Sequence, residues 1–333
     1  MSVLLGCGIG VPTALEVLAS NPDDPALGGA LEQLASKISQ GHSLSAAMRD
    51  FPGIFSDLHL GLVVAGEHSG LLAESFQQVA AWTDLDLQTR HRLRAVLTYP
   101  AIVVAVTLAL TFLLFRVFIP QILGALPPGL DPPALTRLLM LMTNMTRNPG
   151  VWIVALGASG LVYSILQELR QTPHGARGLA RLGRRMPVVG RLMIALASTR
   201  YSQAMSTLLS QGLAVLTALR LAGRACGDAL IAWDCERLIA SLQEGETLAE
   251  SMESQPEVYP PLLTSLVAVG EETGKMVALY QRASEIFSLE SEHLLESLSA
   301  ALEPVVMGFV ALLVGFVVLA VFSSVYAQLN SLG

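Results

Sequence analysis

Two stretches decide how this chain is read: Leu62–Leu72, LVVAGEHSGLL, and Leu266–Met276, LVAVGEETGKM. They lie 204 residues apart, and the same shift brings the rest of the chain into register without a gap. LLGCGIGVPTALEVL (4–18) falls on LLSQGLAVLTALRLA (208–222), and QGHSLSAAMRDFPGIF (40–55) on EGETLAESMESQPEVY (244–259). Pro100 falls on Pro304, and about 25 of the first 100 positions are identical. A gap-free match of this length means that one unit is written twice.

The unit reads as helical. In the second copy, Leu208, Leu209, Leu213, Leu216 and Leu219 recur at three- and four-residue spacings, the period of a helix face. Asp228–Gln243 is a further amphipathic stretch ended by Gly245, a natural residue just past a helix end. Thr247 with Glu250 has the form of a capping box opening a short helix to Met252. Pro256, Pro260 and Pro261 break the chain, Leu262–Gly270 is helical, and a long helix starts at Lys275. No useful strand-like alternation occurs, so the class is all-α.

Composition explains what surrounds the two units. Of 333 residues, 52% are hydrophobic and only 14% charged, against about 25% charged in soluble domains. Net charge is −7 and mean hydropathy +0.56, which excludes disorder and a basic nucleic-acid surface. The charge-free run Ala95–Phe115 would be about 31 Å long as a helix, enough to cross a bilayer core. Gly150–Gln167 is a shorter second run, and Pro304 opens a third. Pro100 and Pro304 are expected in the first turn of their spans, where a missing N–H is cheapest. Arg90, Arg92 and Arg94 precede the first span, and Arg170, Arg177, Arg181, Arg184, Arg185 and Arg191 follow the second. The loop between them carries only Arg137 and Arg147, with Arg116 at its edge. The positive-inside rule then places both units in the cytoplasm and the segment LPPGLDPPALTR outside. The expected layout is a first cytoplasmic helical domain (1–94), span one (95–119), an outer loop (120–149) and span two (150–168). A basic linker (169–199), a second cytoplasmic helical domain (200–303), span three (304–326) and an outer tail (327–333) follow. The fold class is thus two homologous cytoplasmic helical bundles plus three transmembrane helices.

Both copies carry Gly-Glu-x-Ser/Thr-Gly. Gly70 and Gly274 can take the left-handed turn conformation, Ser69 and Thr273 can cap the next helix, and Gly66 and Gly270 permit close packing. Glu67 and Glu271 can satisfy turn amides or face a partner, so the motif is a structural turn or a turn that also makes a partner contact. It is not a phosphate loop: only three residues separate Gly270 from Gly274, Met276 stands where Ser or Thr is needed, and no strand precedes it. Gly6, Gly8 and Gly10 form an equally weak pattern. No catalytic set, zinc spacing or lipoprotein cleavage site at Cys7 is expected, so we expect no enzyme, cofactor or metal. Glu303, beside Pro304 at the entry of the third span, is a functional candidate because an ionisable group at membrane depth is costly; the alternative is that it snorkels to the headgroups. A rival function, a small oligomeric transporter or channel, would need polar groups well inside the spans.

The doubled motif, Leu302-Glu303-Pro304 before the last span, Met186-Pro187-Val188-Val189-Gly190, LLSQGL at 208–213 and Leu135-Thr136-Arg137 together resemble the type II secretion system F family. The resemblance covers nearly the whole chain. It implies a non-enzymatic scaffold of the bacterial inner membrane with two six-helix cytoplasmic bundles and three membrane helices. Its implied partners are a cytoplasmic assembly ATPase, other inner-membrane assembly proteins, the transmembrane helices of pilins or pseudopilins, lipid and further copies of itself. Members usually have an N-terminal cytoplasmic tail, whereas Met1 here aligns with Met205 and leaves Arg200–Ala204 without a counterpart. The family's proline near the end of the last span stands at Pro120, with Ser324 at the matching place in the second copy.

Overall fold

The computed structural model describes residues 1–20, 25–118, 137–138, 141, 143–145, 148–186 and 189–331. The loop LPPGLDPPALTR up to Thr136, Pro120 and Pro187-Val188 lie outside them. The described residues form helices and no strand.

The first copy contains α1 (Ser2–Gly6), α2 (Val11–Ser20), α3 (Pro25–Ser39), α4 (Leu44–Met48), α5 (Asp57–Ser69) and α6 (Leu72–Leu113), whose continuation Leu114–Phe118 widens to a π-helix. Then come α7 (Pro149–Gln171) and α8 (Pro173–Arg185). The second copy contains α9 (Val189–Ser210), α10 (Val215–Ala225), α11 (Ala229–Glu244), α12 (Leu248–Glu253), α13 (Pro261–Thr273) and α14 (Met276–Ser331). From α2 to α6, every start reappears 204 residues later. The helix pairings repeat too: α2 packs on α3 as α10 packs on α11, and α4 on α5 as α12 on α13.

Residues 1–90 and 176–294 form one compact unit, and 91–175 with 295–333 a second. Both copies of the repeat therefore fall in the first unit. Its larger core is built on the second copy: Tyr201, Met205, Leu208, Leu219, Leu238, Leu248, Met252, Tyr259, Leu263 and Tyr280 are each at most 1% exposed. The ring of Tyr201 stands 6.0 Å from that of Tyr259 and 6.1 Å from that of Tyr280, the tilted and edge-on spacing that aromatic quadrupoles favour. A second core in the first copy gathers Leu15, Leu31, Leu34, Leu44, Met48 and Val63. Leu58 and Leu62 of α5 leave it and join the core of the second copy.

Helix α8 is fixed to the second copy by two of its arginines. The Arg177 guanidinium lies 5.2 Å from the Trp233 ring centroid, within cation–π range. Arg184 donates to Asp228 Oδ2 at 2.9 Å, with both side chains under 8% exposed, and also to the Glu257 carbonyl. Asp228 is at the same time the cap of α11, its Oδ1 accepting from Leu230 N and Ile231 N at 2.8 and 3.1 Å.

Helices α7 and α14 are long and apolar enough to cross a membrane, over Pro149–Leu169 and Met276–Leu319. Ile153, Val154, Leu156, Leu312 and Phe322 are about 70% or more exposed, a surface suited to lipid rather than water. The apolar stretch Ala101–Val117, in α6 and its π-helical continuation, is shorter. Phe115 and Val317 bury each other, with Leu114, Leu313 and Phe316 around them. The expected first-turn position of the two prolines is corrected. Pro304 lies inside α14, 28 residues from its start, and Pro100 lies within the range of α6. The first charge-free run begins at Ala95 and the third at Pro304, but the helices that carry them begin earlier, at Leu72 and at Met276, the latter one residue after the start expected at Lys275. An interior proline leaves the carbonyl four residues before it without an intrahelical donor.

Asp228→Ala removes a cap and strands the buried Arg184 charge together. The expected loss is about 3–5 kcal/mol, seen as a lower midpoint in thermal unfolding followed by helical circular dichroism. Asp228→Asn keeps a capping oxygen and should lose less.

Candidate functional site

The recurring motif closes each module. A helix as short as α4 or α12 does not hold itself together, and its first amides lack intrahelical partners. In the first copy, Glu67 Oε1 accepts from Leu44 N at 2.6 Å and Ser45 N at 3.3 Å, while Ser45 Oγ donates to its other oxygen. In the second, Glu271 accepts from Leu248 N at 2.7 Å and Ala249 N at 2.8 Å. The third amide is met by the cap residue: Ser43 Oγ for Ala46 N, Thr247 Oγ1 for Glu250 N, both at 3.2 Å. Glu250 returns the bond to Thr247 N, completing the capping box. Each short helix thus has its first three amides satisfied, two of them by a carboxylate from 22–23 residues downstream.

Glu67 and Glu271 occupy the last turn of α5 and α13, where the helix dipole disfavours negative charge. The positive N-terminal ends of α4 and α12 offset that penalty. Both oxygens of Glu271 are engaged in this way, and among the described residues no group of three or more His, Cys, Asp and Glu is placed to hold a metal.

The glycines shape the turn after the carboxylate. Gly70 and Gly274 end their helices at φ 74° and 70°, a left-handed conformation that a Cβ disfavours. At Gly66 a Cβ would stand 2.3 Å from Ser75 Oγ, and at Gly270 2.8 Å from Met276 Sδ, so the following helix can fold back closely only onto a bare backbone. The hydroxyls behave otherwise than expected. Ser69 donates to the Ala65 carbonyl at 2.9 Å and Thr273 to the Val269 carbonyl at 2.6 Å. They bond back into their own helices because the left-handed glycine turns the chain before the next helix begins.

Of the candidate residues, Gly66, Glu67, Gly70, Gly270, Glu271 and Gly274 fall in the first unit. Pro100, Glu303 and Pro304 fall in the second, where Glu303 is exposed on α14. Sequence reasoning missed three buried features: the Arg184–Asp228 pair, the Arg237 fork on Asp234 at 2.7 and 3.0 Å, and the Tyr201–Tyr259–Tyr280 cluster. An acidic residue opening an amphipathic stretch could have flagged Asp228; nothing local marks Arg184, 44 residues away. Burial pushes the Cys226 thiol up to about 12 and Cys235 also upward, which leaves both as unreactive thiols, whereas Cys7 is exposed. His59 is held below its ordinary value by burial, with Asp86 opposing.

A duplicated all-helical module, each copy continuing into a helix with an apolar stretch, defines the class to which this chain belongs. The family model for type II secretion system (T2SS), protein F, matches residues 1–120 and again 201–323, one stretch per copy, and the chain belongs to that family. It is 28% identical over 333 residues to the type IV pilus assembly protein PilC of Thermus thermophilus, covering all of this chain and 81% of that one. It is 29% identical to the type 4 fimbrial assembly protein PilC of Pseudomonas putida, covering all of this chain and 82% of the relative. With the type II secretion system protein F of Pseudomonas aeruginosa it shares 25% identity over 96% of this chain and 79% of the relative.

Glu271→Gln keeps the side-chain size but removes the charge that holds two amides. A charged hydrogen bond contributes about 1.5–3 kcal/mol, so a fall in midpoint of about 3–12 °C is expected for a unit of this size. Glu67→Gln should act in the same direction on the first copy. An unchanged melting curve for both variants would mean that the carboxylates are not needed for closure.

Proposed function

We propose that the chain is a polytopic inner-membrane platform that couples a cytoplasmic assembly ATPase to the extraction and polymerisation of pilin-like subunits, in type II secretion or type IV pilus biogenesis. In this reading three helices cross the bilayer, over 95–119, 150–168 and 304–326, and both modules face the cytoplasm. Backbone groups in lipid must bond within their own segment, which suits helices that leave a folded module and enter the membrane unbroken. The observation that carries the proposal is that each copy of one module runs into its own apolar helix, α6 or α14. Movement imposed on a cytoplasmic module has a continuous element along which to reach the bilayer. The capping carboxylates support the same view, since they keep the modules rigid and are spent internally rather than on chemistry.

The partners follow from this role. They are the ATPase on the cytoplasmic face, other inner-membrane assembly proteins, the transmembrane helices of pilins or pseudopilins, lipid, and further copies of the chain. The outer loop 120–149 and the tail 327–333 would face the periplasm.

Purification of the tagged full chain from mildly cross-linked membranes should bring down a hexameric assembly ATPase, and deletion of its gene should abolish pilus or secretion output. Recovery of a well-folded chain with no such ATPase, from cells still making pili or secreting normally after deletion, would refute the proposal.

A further inference from the structure

The two modules meet inside the first unit through unlike faces. From the first copy, α5 contributes Leu58, Gly61 and Leu62, all buried. From the second copy, α10 contributes Leu221. A Cβ on Gly61 would lie 2.3 Å from Leu221 Cδ1, so the leucine sits directly over the bare backbone. Two ion pairs flank the contact, Arg224 with Asp57 at 3.4 Å and Arg200 with Asp86 at 3.6 Å.

The 204-residue register shows where each half of this contact has a second version. Leu58, Gly61 and Leu62 of α5 correspond to Leu262, Ser265 and Leu266 of α13, and Leu221 of α10 corresponds to Val17 of α2. The chemistry is kept: two leucines around a small residue on one side, an aliphatic residue on the other. The burial is not. Leu58 is 0% exposed and Leu262 43% exposed; Val17 is 49% exposed; Gly61 is buried and Ser265 exposed. Ser265 already donates its hydroxyl to the Pro261 carbonyl at 2.9 Å, so covering it strands no polar group.

A contact between unlike faces does not satisfy itself by two-fold symmetry; it leaves one open face of each kind, and these fit a second copy. The geometry points to self-association in which α13 of one chain packs on α2 of the next, Val17, one carbon shorter than Leu221, meeting the Cβ of Ser265 between Leu262 and Leu266 where Leu221 meets the bare backbone of Gly61. The flanking Asp57–Arg224 pair is not repeated, since Pro261 and Ser20 stand at those positions. The contact between chains is therefore apolar, and added salt should not weaken it as it would an ion-paired one. This inference gives a surface to the self-association included in the proposed function, and it can fail while that reading stands.

The test is disulfide trapping in membranes of cells co-expressing two differently tagged full-length chains, both with Cys7→Ser. One carries Val17→Cys and the other Ser265→Cys; both changes are conservative, and the remaining native thiols are buried. Oxidation should yield a cross-linked dimer carrying both tags, at least tenfold above the yield when Ser265→Cys is replaced by Glu253→Cys elsewhere on the exposed surface. Adding Leu262→Arg to the Ser265→Cys chain should abolish it. A mixed dimer no more abundant than the Glu253→Cys control overturns the inference. If the two tags still co-purify in that case, the chains associate through another face and only this surface is wrong.

Discussion

Each module depends on a carboxylate reaching back to the open end of a short helix. Without Glu67 or Glu271, the first amides of α4 or α12 would be buried beside a helix end with no acceptor, a penalty of about 1–3 kcal/mol per group. The same carboxylate fixes the last turn of α5 or α13. The left-handed glycine three residues later then sends the chain into the long helix that leaves the module. Closure of the module and the direction of its exit are thus set by one five-residue motif. This accounts for its presence in both copies although only about a quarter of the aligned positions are identical.

Identical parts need not have identical surroundings. Leu58 and Leu262 occupy the same place on the same helix, yet one is buried and the other is nearly half exposed. The difference comes from the neighbouring module, which covers α5 and not α13. A similar asymmetry appears in the polar groups. Arg184 and Asp228 are buried together in the second copy and tie α8 to it, an ionic contact whose desolvation is tolerable only because the guanidinium is also met by backbone carbonyls.

Much of this was legible in the sequence. The three- and four-residue leucine spacings gave the helical class, and Thr247, Glu250 and Gly245 announced their caps, because such signals are local and depend on neighbours one turn away. The carboxylates were legible only as alternatives: turn amides or a partner. Choosing between them needs the approach of residues 22–23 positions apart. Arg184 with Asp228, and the meeting of Tyr201, Tyr259 and Tyr280, have no local signature because they are properties of packing. The prolines misled for a physical reason. Hydropathy marks where lipid-compatible residues begin, not where a helix begins; α14 starts at Met276, next to the start expected at Lys275 and well before the apolar run, so Pro304 falls inside it.

The central claim is that both modules lie on the cytoplasmic side, each continuing into the membrane by its own helix. Labelling intact cells with a membrane-impermeant maleimide tests it most directly, with the native exposed Cys7 reporting on the first module, Glu253→Cys on the second, and Asp131→Cys on the segment between the first two spans. The account predicts that Asp131→Cys is labelled in intact cells while Cys7 and Glu253→Cys react only after the membrane is permeabilised. Labelling of either module from outside an intact cell would contradict it.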